Sequence, residues 1–103
     1  MNNQKINNIN TQVRHNPFIF GTSKVPIKYR KNKQIYTSAV MGYPSNIKHI
    51  PLETLNKDID ICRLAIKLDR YAIQEIPYNV EFLAQLYCEN VKSDSEIIRT
   101  YNL

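Results

Sequence analysis

Few side chains in this 103-residue sequence could carry out covalent or metal chemistry, and they are widely spaced. The candidates are two histidines and two cysteines, His15, His49, Cys62 and Cys88. No two of them form a close pair such as Cys-x-x-Cys, which structural zinc sites normally contain. Both cysteines lie on predicted apolar stripes, where cysteine is most simply a small, reduced core residue. We therefore expect no metal site, no disulfide and no Cys–His nucleophile.

The acidic residues also lack the pattern of a catalytic or metal site. Asp58 and Asp60 would point to different faces of a helix, and the acidic spacing matches no calcium-binding loop. A Gly-rich phosphate-binding loop is absent, since the chain has only two glycines. Because catalysis requires titratable groups that converge, we expect a non-enzymatic protein with no catalytic residues and no cofactor.

Charge is divided unevenly along the chain. Residues 1–50 contain eight Lys or Arg and no acid, whereas residues 51–103 contain six basic and nine acidic residues. The densest basic segment surrounds Tyr29 and contains five cations: Lys24, Lys28, Arg30, Lys31 and Lys33. Such a segment can bind phosphates by charge and bases by stacking. It can also be a solvated segment or contact the acidic half of the same chain, so nucleic-acid binding is the alternative function here.

Internal repetition is the strongest structural signal in the sequence. The dipeptides Val25-Pro26, Ile50-Pro51 and Ile76-Pro77 recur at steps of 25 and 26 residues. The unit QIYTSAVMGYPSNIKHIP, from Gln34, aligns without a gap with DICRLAIKLDRYAIQEIP, from Asp60. Six of the eighteen aligned positions match as apolar residues or proline. These are the positions that would face a core.

Each unit predicts a helix, a turn, a second short helix and a proline, because its apolar residues are three or four positions apart. We predict helices over residues 33–42, 45–50, 58–68, 70–76, 79–91 and 94–101, with Asp58 as the N-cap of the third. The longest stripe contains Val80, Leu83, Ala84, Tyr87, Cys88 and Val91. Short units of this kind stack on one another, so the predicted fold is all-α, with stacked helix-turn-helix repeats of the α-solenoid type over residues 33–103.

The composition of residues 1–32 predicts an irregular, basic arm, since six of the twelve asparagines fall in the first sixteen residues. Phe18 and Phe20 follow Pro17 in this polar segment. They could pack back onto the first repeat and cover its apolar end, or they could anchor the arm in a partner protein. The predicted partner contacts are Phe18, Phe20 and Tyr29.

The strings KQIYTSAVMGYPSNIKHIP and LETLNKDIDICRLAIKLDRYAIQEIP resemble a helical repeat family of unknown function, found in giant viruses, protists and some bacteria. Its units carry an Ala-Val or Ala-Ile pair in the first helix, an Ala-Leu-like pair in the second, and often Ile-Pro at the end. The matching pairs are Ala39-Val40, Ala65-Ile66 and Ala72-Ile73.

This sequence departs from the family pattern at Asn46-Ile47, and at the turns Tyr43-Pro44 and Asp69-Arg70, where Asn-Gly is frequent in the family. The resemblance covers residues 33–80. It implies an all-α array and no particular chemistry.

These features predict a module for protein–protein interaction or assembly, such as a minor component of a virus particle or a virus-encoded inhibitor. No apolar run is long enough to span a membrane, and the first residues lack the apolar core of a secretory signal. We therefore expect an intracellular protein, in a bacterial or host cytoplasm or within a virus particle.

Overall fold

The computed structural model describes residues 2–90, and this part of the chain is helical with no strand. The predicted all-α class is therefore confirmed. In chain order, with η denoting a 3₁₀-helix, the elements are α1 (Asn2–His15), η1 (Pro17–Gly21), α2 (Ile27–Arg30), α3 (Lys33–Gly42), η2 (Pro44–His49), α4 (Leu52–Leu55), α5 (Ile59–Leu68) and η3 (Arg70–Glu75). A further helix, α6, covers residues 83–90.

The predicted irregular arm is wrong, because α1, η1 and α2 together occupy most of it. Ile6, Ile9 and Val13 form an apolar stripe at helical spacing, and they join the core that α1 shares with α3. Asparagine lowers helix propensity by only a few tenths of a kcal/mol per residue relative to average residues. Burial of this stripe outweighs that cost, and the outer face of α1 stays polar.

The two aligned units fold alike. Helix α3 and η2 recur as α5 and η3 at an offset of 26 residues, which confirms the predicted helices at 33–42 and 58–68. Asn32 and Asp58 are their N-caps, and each side chain accepts a hydrogen bond at 3.2 Å from the backbone N–H three residues later.

The predicted short helices at 45–50 and 70–76 are 3₁₀-helices, closed by bonds between residues three apart, such as that from the Ile50 N–H to the Ile47 carbonyl. Sequence patterns missed the single turns α2 and α4, each of which follows a proline.

The C-terminal stripe is divided between core and surface. Helix α6 begins four residues later than predicted, and Val80 and Leu86 are buried while Tyr87 and Cys88 are exposed. Cys88 is therefore not the core residue that we expected. Val91 and the predicted helix at 94–101 lie outside the described residues.

One continuous core runs from Ile9 in α1 to Leu86 in α6. The domain boundary that we predict at residue 32 falls between α2 and α3, with core residues on both sides of it. Phe20 is completely buried and belongs to this core, as does Tyr29. Phe20 therefore has no surface for a partner of the folded chain, whereas Tyr29, which is 9% exposed and lines a surface cleft, offers only a small area.

The two glycines lie where η1 approaches the first aligned unit, α3–η2. A Cβ atom at Gly42 would be 2.2 Å from Cγ of Pro17, and one at Gly21 would be 2.4 Å from Nε2 of His49. Neither distance is compatible with a side chain larger than hydrogen unless the neighbour moves. The close contact between η1 and the α3–η2 unit therefore depends on both glycines.

Asn46 joins the same two parts of the structure by hydrogen bonds. It is buried in η2, and its Nδ2 donates to the Pro17 carbonyl at 2.9 Å and to the Ala39 carbonyl at 3.0 Å. The equivalent residue of the next unit is Ala72, which is also buried. Asn46 is therefore the residue at which the first aligned unit is adapted to bind η1.

We predict that Asn46→Ala lowers the free energy of unfolding by about 2 kcal/mol, since two buried hydrogen bonds contribute about 1 kcal/mol each. Urea denaturation followed by circular dichroism would measure the loss. Asn8→Ala, on the exposed face of α1, is the matched control and should change stability by less than about 0.5 kcal/mol. Equal effects of the two substitutions would show that the Asn46 bonds contribute nothing specific.

Candidate functional site

Large apolar side chains that remain exposed are concentrated at two recurring positions. The first group lies where each long helix ends and a 3₁₀-helix begins; we call it the helix-end row, and it comprises Phe18, Met41, Tyr43, Leu68 and Tyr71. The second follows the Val-Pro and Ile-Pro dipeptides; we call it the proline row, and it comprises Ile27, Leu52 and Tyr78. The proline-row residues follow corresponding prolines of successive units, and within the helix-end row the rings of Phe18 and Tyr43 are in contact.

Phe18 is the most firmly positioned member of the helix-end row. Its side chain is 66% exposed, and its ring contacts that of Tyr43 with centroids 4.8 Å apart and planes tilted by 50°. The side-chain oxygen of Asn16 accepts a hydrogen bond from the Phe18 N–H at 3.3 Å. Together with the Pro17 contacts to Asn46 and Gly42, these interactions fix an exposed aromatic pair on a rigid support.

The sequence predicted Phe18 as a partner contact but missed Met41 and Tyr43. Both residues lie within the aligned unit but outside its buried stripe. A large apolar residue outside the stripe was the sequence feature that could have identified them as exposed. Tyr43 takes the place that Asp69 occupies in the next unit, where the carboxylate accepts a hydrogen bond from the Tyr71 N–H. An aromatic residue thus replaces a capping residue at this one junction.

Most of the predicted nucleic-acid contacts are engaged within the protein. The Arg30 guanidinium donates to the carbonyls of Val25 at 2.9 Å and Thr22 at 3.0 Å, which closes the loop before α2. Lys31 lies 3.6 Å from a Glu53 carboxylate oxygen. Lys33 is also paired, at 3.8 Å from Asp58. The remaining two members, Lys24 and Lys28, are exposed.

Tyr29 cannot stack on a base, because its ring is buried beneath lysine side chains. The Nζ atoms of Lys28 and Lys5 lie 5.1 and 5.8 Å from the ring centroid, at cation–π distance. Tyr29 therefore organises two cations and offers no free aromatic surface.

Tyr36 and Asp58 form the most polar buried contact. The Tyr36 hydroxyl donates to Oδ2 of Asp58, whose Oδ1 caps α5. Burial and this carboxylate both raise the pKa of Tyr36. A tyrosine with a raised pKa stays protonated at neutral pH, so this contact has a structural role and does not supply a phenolate nucleophile.

The histidines and cysteines do not converge. Cys62 is buried in α5, Cys88 is exposed on α6, and His15 is exposed at the end of α1. His49 lies half-buried against Gly21. Among residues 2–90, no group of three or more His, Cys, Asp or Glu side chains is arranged to hold a metal ion.

No helix in the described range is long and apolar enough to cross a membrane.

Residues 32–81 match the family described as a domain of unknown function (DUF4116). The matched segment begins at the Asn32 cap of α3 and ends just after η3, so it contains both aligned units and just under half of the chain. No match was found among curated proteins or among solved structures.

We predict that Cys88 alone reacts with a thiol reagent in the folded protein. Burial raises the pKa of Cys62 to about 12, so that thiol is both inaccessible and protonated. Absorbance with Ellman's reagent should give one fast thiol per chain in buffer and two in urea. Cys88→Ser should remove the fast reaction, and rapid modification of Cys62 in buffer would contradict the placement of α5.

We predict that stability falls as the pH is lowered through about 6.5, the ordinary pKa of histidine. Burial lowers the pKa of His49, and Lys48 and Arg30 lower it further against a smaller opposing effect of Glu75. The unfolded chain therefore binds this proton more readily, and protonation favours unfolding. Urea midpoints measured between about pH 7 and 5 should decline, less steeply in His49→Gln. His15→Gln, at the exposed histidine, should leave the slope unchanged.

Proposed function

We propose that this protein is a non-catalytic protein-binding module that contacts its partner through the helix-end row, with Phe18, Met41 and Tyr43 at the centre. The single observation that carries this proposal is the exposed Phe18–Tyr43 ring pair, held by contacts on both sides of the η1–α3 junction. Aromatic residues of this kind are enriched among the few that dominate interface energy.

Rigidity is the physical reason for choosing this surface. Immobilising a flexible side chain at an interface costs about 0.5–1.5 kcal/mol. For Phe18 much of that cost is met in the free protein, because the Tyr43 ring, the Asn16 cap and the Pro17–Gly42 contact already restrict it. A binding surface ordered before the encounter supports an interaction role.

The charge distribution favours a protein partner over nucleic acid. A backbone-binding segment needs several cations that can neutralise phosphates. Here Arg30, Lys31 and Lys33 already have partners within the chain, and Tyr29 is buried. Nucleic-acid binding through residues 24–33 therefore has weaker support. Intracellular or viral location stays a prediction from the sequence.

We predict that Phe18→Ala abolishes capture of the partner while the melting temperature changes little, because the side chain is mostly exposed. The measurement is a pull-down with the full chain, with nuclease and at high salt, followed by mass spectrometry. Tyr78→Ala is the matched control, since it removes an aromatic side chain that is 92% exposed on the proline row.

Point substitutions are required here because removal of residues 1–33 would also remove core residues such as Val13 and Phe20. A protein retained by the wild type and Tyr78→Ala but lost with Phe18→Ala supports the proposal. Loss with Tyr78→Ala alone would move the site to the proline row. Recovery of nucleic acid alone, abolished by salt, would favour the basic segment.

A further inference from the structure

Two clefts occupy equivalent places at successive unit junctions. A cleft of about 470 Å³ lies between α3, α4 and the start of α5, and one of about 300 Å³ lies between α1, α2 and the start of α3. Lys28, Lys31 and Asn32 line the smaller cleft. Thr54, Lys57 and Asp58, each 26 residues later, line the larger one. We call them the first cleft and the second cleft in chain order.

The second cleft is balanced in charge. It contains three lysines and three acids, Lys31, Lys33, Lys57, Glu53, Asp58 and Asp60. Two ion pairs form within it, Lys31–Glu53 at 3.6 Å and Lys33–Asp58 at 3.8 Å. Two of its three lysines, Lys31 and Lys33, therefore have carboxylate partners from the same chain.

The first cleft has lost every acid of that set. The residues 26 positions before Glu53, Asp58 and Asp60 are Ile27, Asn32 and Gln34. Lysines remain there, because Lys28 and Lys31 line the first cleft. Lys5, which precedes Lys31 by the same interval, lies 5.8 Å from the ring centroid of Tyr29, a residue of the cleft wall. The first cleft thus repeats the place of the second cleft without its negative charge.

Two cations near the first cleft have no carboxylate partner among the described residues. The Nζ atoms of Lys5 and Lys28 lie 5.8 and 5.1 Å from the Tyr29 ring centroid, and neither lysine forms an ion pair within residues 2–90. Ile27, which precedes Lys28 in α2, is 61% exposed and offers an apolar contact. An anion at this cleft would be attracted by both charges.

We propose that the first cleft binds an acidic side chain of a protein partner, which takes the place that Glu53 and Asp58 occupy in the second cleft. The partner segment would carry Asp or Glu next to an apolar residue that contacts Ile27. The residues of this surface are different from those of the helix-end row. The inference rests on the proposed protein-binding function and specifies that the partner carries an acidic residue next to an apolar one.

A carboxylate is favoured over a nucleic-acid backbone for two reasons. The equivalent lysine of the next unit, Lys31, already takes a carboxylate in this fold. Among the described residues, the cations without ion pairs at this cleft are Lys28 in its lining and Lys5 near its Tyr29. Two such cations are few for a polyanion whose affinity grows with each phosphate neutralised.

The test is fluorescence anisotropy of the full chain with a labelled peptide of alternating Glu and Leu. A Gln–Leu peptide and oligo(dT) are the comparison probes. Asn32→Asp restores the missing carboxylate and keeps the helix cap, because Asp and Asn cap equally well. We expect it to weaken binding of the Glu–Leu peptide about fivefold or more, since the carboxylate introduced at this half-buried position repels that of the ligand. Lys28→Gln should weaken binding to a similar extent.

Asn79→Asp is the matched control, because it makes the same charge change at an exposed position away from the cleft; it should alter affinity less than about twofold. Phe18→Ala should leave peptide binding intact, which separates failure of this proposal from failure of the helix-end row. If Lys28→Gln does not fold, the affinity of Asn32→Asp for the Glu–Leu peptide tests the proposal by itself. Equal weakening by Asn79→Asp, absence of binding to the Glu–Leu peptide, or tighter binding of oligo(dT) would each overturn the proposal.

Discussion

The Asn46 side-chain amide is the interaction on which the N-terminal half of this structure depends. By donating to carbonyls of both η1 and α3, it fixes the distance at which Pro17 can pack over Gly42. That distance brings Phe20 into the core and leaves Phe18 outside against Tyr43. A buried amide is costly unless it is hydrogen-bonded, so the register of η1 is tied to a single geometry. The exposed aromatic pair is a consequence of that register.

The uneven charge of the sequence becomes a set of contacts between successive units. Lys31 with Glu53, Lys33 with Asp58, and Lys48 with Glu75 each join a basic residue of the first half to an acid of the second. Exposed pairs of this type contribute only about 0–1 kcal/mol each, so they do not hold the array together. They place a carboxylate beside each of these lysines, which reduces the positive charge that the lysines present to a polyanion. Stability comes from the continuous apolar core and its few buried polar bonds.

The sequence predicted those parts of the fold that depend on local patterns. Helices α3 and α5 follow from apolar spacing and from the 26-residue alignment, and the comparison with the family pattern identified Asn46-Ile47 as a departure. Helix α1 could not be read in the same way, because its stripe of Ile6, Ile9 and Val13 is diluted by asparagine and is stabilised only by packing against α3. Of the predicted partner contacts, Phe18 is exposed while Phe20 and Tyr29 are not. Phe18 and Phe20 point to different sides of a 3₁₀-helix because they are two residues apart in a helix with three residues per turn. The difference in their burial could not be predicted while this segment was assumed to be irregular.

Repetition separates residues that maintain the fold from residues that serve something else. Positions that match between units, such as Ile35 with Ile61 and Ala39 with Ala65, are buried in both, and packing alone accounts for them. Differences between units need another reason. Asn46 in place of Ala72 is explained by η1. Asn32 in place of Asp58 leaves the helix cap intact but lacks the carboxylate that binds the Tyr36 hydroxyl and pairs with Lys33 in the second unit. Because Asp would cap α3 equally well, capping does not explain the neutral residue, and this unexplained difference is the basis of the proposal that the first cleft binds an acidic partner.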